Sequence, residues 1–103
     1  MTRPESRRQN LRFDVDLPVE LRLGERLLLA RAKNASIGGL FIEIDDKLPL
    51  GQRLHVRFEI GGHVIEGGAV VRWHGDRGAG VQFEGLRARD VYALGKFLET
   101  LAG

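Results

Sequence analysis

The sequence predicts an all-β domain with a terminal helix: a six-stranded antiparallel barrel, split or Greek-key-like, followed by one C-terminal α-helix. Three observations predict it. Apolar and polar residues alternate with period two along most of the chain, glycine-bearing turns interrupt that alternation at short intervals, and a helical period sets in only from Arg87. Six short strands would leave unpaired edges in an open sheet, and closure into a barrel removes them.

The first strand starts at Leu11, where Phe13, Val15 and Leu17 alternate with Asp14 and Asp16. Pro18 cannot donate to a ladder, so an edge position or a bulge is expected there, with Val19, Leu21 and Leu23 continuing the strand to a turn at Gly24-Glu25. Arg26 to Lys33 returns antiparallel and ends in the polar turn Asn34-Ala35-Ser36-Ile37-Gly38-Gly39. Gly39 to Ile44 is the third strand, closed by Asp45-Asp46-Lys47, whose adjacent carboxylates read as turn residues rather than an acid–base pair. Leu54, Val56, Phe58 and Ile60 alternate with His55, Arg57 and Glu59, and Gly61-Gly62 supplies a two-residue hairpin turn. The returning strand, His63 to Trp73, contains Gly67-Gly68, where a bulge or sharp bend is expected. After Gly75-Asp76-Arg77-Gly78, a short strand runs from Ala79 to Phe83. From Arg87, the residues Val91, Leu94, Leu98 and Leu101 fall on one helical stripe flanked by Tyr92 and Phe97, which places a helix at 87–101. Gly95 inside that helix costs about 1 kcal/mol relative to Ala, so packing or a close approach is expected to explain it.

The chain has 103 residues, 43% hydrophobic and 29% charged, room for one domain that buries about two-thirds of its unfolded surface. Residues 1–10 carry Pro4, Ser6, Gln9 and Asn10 with almost no apolar side chain, the composition of a flexible basic arm ahead of a single domain at 11–103. Residues 1–12 hold Arg3, Arg7, Arg8 and Arg12 against Glu5, a net +3 within a whole-chain charge of +2, which leaves the body at −1. A duplex-binding protein more often spreads its cations over the folded body, so this distribution favours a small anionic partner and argues against nucleic acid. The longest obvious apolar run is Leu27-Leu28-Leu29-Ala30, far short of a membrane span, and no hydrophobic signal core follows Met1, so a cytoplasmic protein is expected. With no cysteine there are no disulfides, thiolate nucleophiles or cysteine-based zinc sites. His55, His63 and His74 match no local metal-ligand spacing, and no carboxylates in the nearby sequence are arranged around them. Ser6 and Ser36 lie in no nucleophile elbow. No enzyme activity, metal or cofactor is therefore expected.

Two stretches do carry chemistry. Asn34 and Ser36 have short side chains that hydrogen-bond nearby backbone, and Gly38-Gly39 permits unusual backbone angles or a close approach by another molecule. Arg8 and Arg12, four residues apart in an extended segment, project to one side about 13 Å apart. Their guanidinium forks suit phosphate oxygens and guanine edges, two hydrogen bonds at a time. A solvated basic tail and an Asx turn are the plain alternatives for these two pieces. Trp73, at a strand end, offers a face for guanine or Arg stacking, or packs as an ordinary rim or core tryptophan.

The order of these features resembles the PilZ domain, a family of bacterial receptors for cyclic di-GMP. Arg8-Gln9-Asn10-Leu11-Arg12 fits the family's R-x-x-x-R, and Asn34-Ala35-Ser36-Ile37-Gly38-Gly39 fits its D/N-x-S-x-x-G through Asn34, Ser36 and Gly39. Val70-Val71-Arg72-Trp73 and Gly80-Val81-Gln82-Phe83 are similar to its last barrel strands, so the match covers nearly the whole chain. The resemblance implies a cyclic di-GMP-binding receptor or adaptor whose N-terminal arm changes conformation on binding and signals to an effector protein. It implies ligand contacts from Arg8 and Arg12, hydrogen bonds to a guanine edge and a phosphate oxygen from Asn34 and Ser36, and backbone approach at Gly39. It also implies that Arg7 helps hold a stacked ligand pair, with the protein a monomer or weak dimer. Two rivals remain: a PilZ-like adaptor that binds only protein, and a small barrel for single-stranded nucleic acid, for which the strands lack interleaved basic and aromatic residues.

Overall fold

The computed structural model describes residues 11–102. Arg7 and Arg8, and with them the 1–10 arm, lie outside the described residues. Six strands and one helix follow in order: β1 (Phe13–Leu23), β2 (Arg26–Ala35), β3 (Gly39–Glu43), β4 (Arg53–Ile60), β5 (His63–Gly75), β6 (Gly78–Glu84) and α1 (Ala88–Ala102). The strands close into an antiparallel barrel in the order β1-β2-β3-β6-β5-β4, with β4 pairing back onto β1. Two three-stranded meanders are thus joined along β3–β6 and β1–β4, and β4 lies beside β1 in the manner of a Greek key.

The alternation in β4 shows why these residues fold this way. Leu54, Val56, Phe58 and Ile60 are buried while Arg53, His55, Arg57 and Glu59 are exposed, which fixes the register because a one-residue slip would reverse every side chain. Gly61 and Gly62 both adopt left-handed φ, 53° and 80°, as a two-residue hairpin of this hand requires. The core is filled by Val19 and Leu21 of β1, Leu40 and Ile42 of β3, the four apolar residues of β4, Ile65, Ala69 and Val71 of β5, and Ala79 and Val81 of β6. Leu94 and Leu98 of α1 complete it.

Pro18 holds the edge position expected of it: it pairs with Arg31 of β2 but has no partner on β4, whose pairing begins only at Val19, and an irregularity between Asp14 and Leu17 precedes it. Three local expectations are corrected. β2 runs on to Ala35 rather than stopping at Lys33, because β1 and β3 flank it and both supply ladder partners for Asn34. Gly67-Gly68 holds no bulge: its pairing with β4 is continuous, and Gly67 instead makes room for Leu86, whose side chain would lie 2.8 Å from an added Cβ. The bulge in β5 lies at Arg72, between Val71 and Trp73.

The helix is the third correction. Its buried positions are Asp90, Leu94 and Leu98, whereas Val91 and Leu101, expected on the buried stripe, are 38% and 43% exposed. The stripe is rotated because a buried carboxylate finds partners: His63 Nε2 lies 3.1 Å from Asp90 Oδ1, and Arg87 Nε donates to Asp90 Oδ2 at 3.3 Å. Burial raises the Asp90 carboxyl, but the hydrogen bonds from His63 and Arg87 and their charges outweigh it and hold the group below its ordinary value. His55 likewise meets Glu66 at 3.1 Å across the β4–β5 pair. Two of the three histidines therefore do face carboxylates, through contacts that sequence proximity does not display.

Candidate ligand-binding site

Asn34 and Trp73 reach the site through irregularities in their strands. Along β5, Ile65, Ala69 and Val71 face the core, and strict alternation would send Trp73 inward after them. The extra residue at Arg72 reverses the parity, so Trp73 pairs with Gly80, between the inward-facing Ala79 and Val81. On β2 the register shifts between Ala32 and Asn34. Ala32 and Ala35 are both buried, a spacing of three that alternation forbids, and Asn34 is thereby released to the outside.

The indole of Trp73 lies flat on Gly80, where a Cβ would collide with the ring. On the other side, the Arg12 guanidinium carbon stands 4.8 Å from the ring centroid. Arg12 also donates from Nη1 to Asn34 Oδ1 at 2.8 Å, across 22 residues of sequence. Partial burial pulls the Arg12 guanidinium below its ordinary value, yet a guanidinium keeps its proton at any physiological pH. A backbone glycine, an indole and a cation thus form a stack from the barrel wall outward, with the Asn34 amide bonded at the edge of the cation.

Beside this stack the turn is held by its own bonds. Ser36 is buried, its N–H donates to the Gly39 carbonyl at 2.9 Å, and its Oγ accepts from the Gly38 N–H at 3.1 Å. That leaves the Ser36 hydroxyl hydrogen to donate elsewhere. The Gly38 carbonyl accepts from the Phe83 N–H at 2.8 Å. Gly39 has a reason of its own: a Cβ there would collide with the Val81 carbonyl oxygen of β6. Neither Gly38 nor Gly39 takes a left-handed φ. The glycine at 39 is therefore required by the β3–β6 ladder itself.

Arg12, Ser36, Gly38, Arg72, Trp73 and Gln82, with Val81, line a cleft of about 290 Å³, close to the lower bound for small-molecule sites. Of the residues predicted from sequence, Arg12, Ser36 and Trp73 line this cleft, Asn34 joins it through its bond to Arg12, and Gly39 does not line it but pairs with Gln82, which does. Arg72 and Gln82 were not predicted. Both are outward positions by plain alternation, following inward Val71 and Val81, and it is the bulge that brings Trp73 onto the same face.

A family model described as PilZ domain matches residues 6–100. The chain belongs to the PilZ domain family. This is a cyclic di-GMP receptor family of binding and adaptor modules. Among solved structures, the PilZ domain of CeSA from a cellulose-synthesizing bacterium is similar at 15% identity and a TM-score of 0.72, covering 90% of this chain and 99% of that one. The Bacillus subtilis inhibitor of motility MotI/DgrA is similar at 24% identity and a TM-score of 0.69 over 82% of this chain. This PilZ domain covers 46% of the MotI/DgrA chain, about half its length. At these identities the likeness concerns the fold. No curated protein sequence matches the chain. Among the described residues, no helix is long and apolar enough to cross a membrane.

Proposed function

We propose that this PilZ domain binds cyclic di-GMP in the cleft between Arg12 and the 34–39 turn and passes that occupancy to a partner protein. The observation that carries the reading is the 2.8 Å hydrogen bond from Arg12 to Asn34, which joins the two short motifs in space. Each motif by itself is a weak signal. Together with family membership, their meeting beside an exposed indole supports a site for a ligand with both anionic and aromatic parts.

The chemistry divides among the residues. The Arg12–Trp73 stack presents a flat cationic face on which a guanine can lie. The Asn34 amide keeps its NH2 donors for a guanine acceptor edge, since its oxygen is taken by Arg12. The Ser36 hydroxyl donates to a phosphate oxygen. Arg8, four residues before Arg12, completes the cationic pair, and Arg7 is assigned to a second, stacked ligand molecule. In this reading, closure of the N-terminal arm over the ligand creates the surface that the partner reads.

Titration calorimetry with cyclic di-GMP, GMP and a short single-stranded oligonucleotide tests it. Micromolar or tighter binding of cyclic di-GMP alone supports the assignment. Binding of the oligonucleotide instead, or of none of the three, overturns it.

A further inference from the structure

We propose that Arg72, steadied by Gln82, is a specificity-determining ligand contact that reads the acceptor edge of a guanine; the inference rests on the cyclic di-GMP reading of the cleft. Neither short motif contains Arg72. The bulge between Val71 and Trp73 places it next to the tryptophan on the same outer face, and both line the cleft with Arg12, Ser36 and Gln82.

The geometry limits what Arg72 can do. Its Nε donates to Gln82 Oε1 at 2.7 Å, and Gln82 is itself fixed within β6, paired with Gly39 of β3 on one side and Val70 of β5 on the other. With Nε engaged, the fork that remains for a ligand is the end-on pair Nη1 and Nη2, two donors side by side. Guanine presents two adjacent acceptors, O6 and N7, to such a fork, whereas adenine offers an acceptor beside a donor. A phosphate also offers paired acceptors. The base is favoured here because the stacked Arg12–Trp73 platform lines the same cleft, so a purine resting on it presents its edge within the space Arg72 borders.

A double-mutant cycle separates the two acceptors. Dissociation constants are measured by calorimetry for wild type, Arg72→Ala, Gln82→Ala and the variant carrying both substitutions, against cyclic di-GMP and against its analogue with 7-deazaguanine in both bases. Wild type is expected to lose affinity for the analogue, and Arg72→Ala to lose about tenfold for cyclic di-GMP, roughly one bidentate base contact. The coupling decides: Arg72→Ala should discriminate the analogue from cyclic di-GMP much less than wild type does. Gln82→Ala should lose less than Arg72→Ala and add nothing in the Arg72→Ala background. An equal loss on both ligands would make Arg72 a phosphate contact and overturn base reading. Unchanged affinity in Arg72→Ala would overturn the contact altogether. Failure of wild type to bind cyclic di-GMP would instead strike the parent reading. Arg72 is exposed, so the melting midpoint of each variant serves as a folding control.

Discussion

Gly39 and Gly80 sit on paired strands and both exclude a Cβ, but for different reasons, and substitution with alanine should separate fold from site. At Gly39 the added methyl meets the Val81 carbonyl oxygen, with the Val81 carbonyl carbon at 3.1 Å and Gln82 Cα at 3.2 Å. These are backbone atoms inside the carbon contact optimum of about 3.5 Å, so relief requires β6 to move away from β3. That movement threatens the Gly39–Gln82 and Leu40–Val81 pairs and the Phe83 N–H to Gly38 carbonyl bond. Two or three ladder bonds at about 1 kcal/mol each, with loosened packing around Leu40 and Val81, amount to about 3–5 kcal/mol. At Gly80 the obstacle is the Trp73 indole, a side chain already 38% exposed that can swing outward. The loss there is the Arg12 cation–π contact, about 0.5–1 kcal/mol, and a part of the indole's burial, for about 1–2 kcal/mol in all.

For a domain of this size, 1 kcal/mol moves the thermal midpoint by about 4–8 °C. Gly80→Ala should therefore fold, melt about 5–10 °C lower, shift the emission of the single tryptophan to the red, and lose ligand affinity. Gly39→Ala should melt at least 15 °C lower, roughly what about 3 kcal/mol implies, or fail to fold. Gly38→Ala is the control, since only Ser36 Oγ lies near, at 3.9 Å. Thermal unfolding by circular dichroism, with fluorescence on the same samples, makes the comparison. Equal losses in Gly39→Ala and Gly80→Ala, or an unshifted emission in Gly80→Ala, would refute the division between ladder glycine and platform glycine.

Three further outcomes are expected. Arg12→Ala should weaken cyclic di-GMP binding at least tenfold, about 1.4 kcal/mol, while lowering the melting midpoint by about 2–8 °C through the lost stack on Trp73; Arg12→Lys should also weaken binding because an ammonium lacks the planar fork, and full retention by Lys would reduce the role of Arg12 to charge. Gly95→Ala should stabilise the protein by about 0.5–1 kcal/mol, because the nearest atom to the new methyl is Ile37 Cδ1 at 3.6 Å, an ordinary contact; a lower midpoint would refute it. Asp90, depressed by its bonds to His63 and Arg87, contributes stability in full above the unfolded carboxylate range near about pH 4, and that contribution is lost as pH falls through the lower folded value. Melting curves between about pH 6 and pH 3 should consequently fall less steeply in Asp90→Asn than in wild type, and equal slopes would show that the buried carboxylate is not linked to acid unfolding.

The strands are readable from the sequence wherever one face is core and the other solvent. Leu54 to Ile60 and the Gly61-Gly62 turn identify β4 and the start of β5 because every second residue has the same fate. That code has no symbol for an inserted residue. Lys33 and Arg72 look like ordinary outward positions, yet each is where a strand changes parity, and Asn34 and Trp73 reach the site only through that change. The helix poses a related difficulty: its apolar spacing marks α1 but points to Val91 and Leu101. The partners that draw Asp90 inside include His63, 27 residues away.

The two irregularities also explain why the site stands on strands and not on a mobile loop. A residue held between two ladder partners has little freedom left to lose, and Asn34 has β1 and β3 on either side, while Trp73 is pressed against Gly80. Arg12 borrows that rigidity through one hydrogen bond and one stacked face. Ordering a long side chain on binding costs about 0.5–1.5 kcal/mol, and an Arg12 already placed by Asn34 and Trp73 avoids most of it. Its guanidinium then acts as a fixed platform whose outer face is turned to the ligand. On this logic, removing Trp73 should weaken binding chiefly by loosening Arg12, and Trp73→Ala combined with Arg12→Ala should cost little more affinity than Arg12→Ala alone.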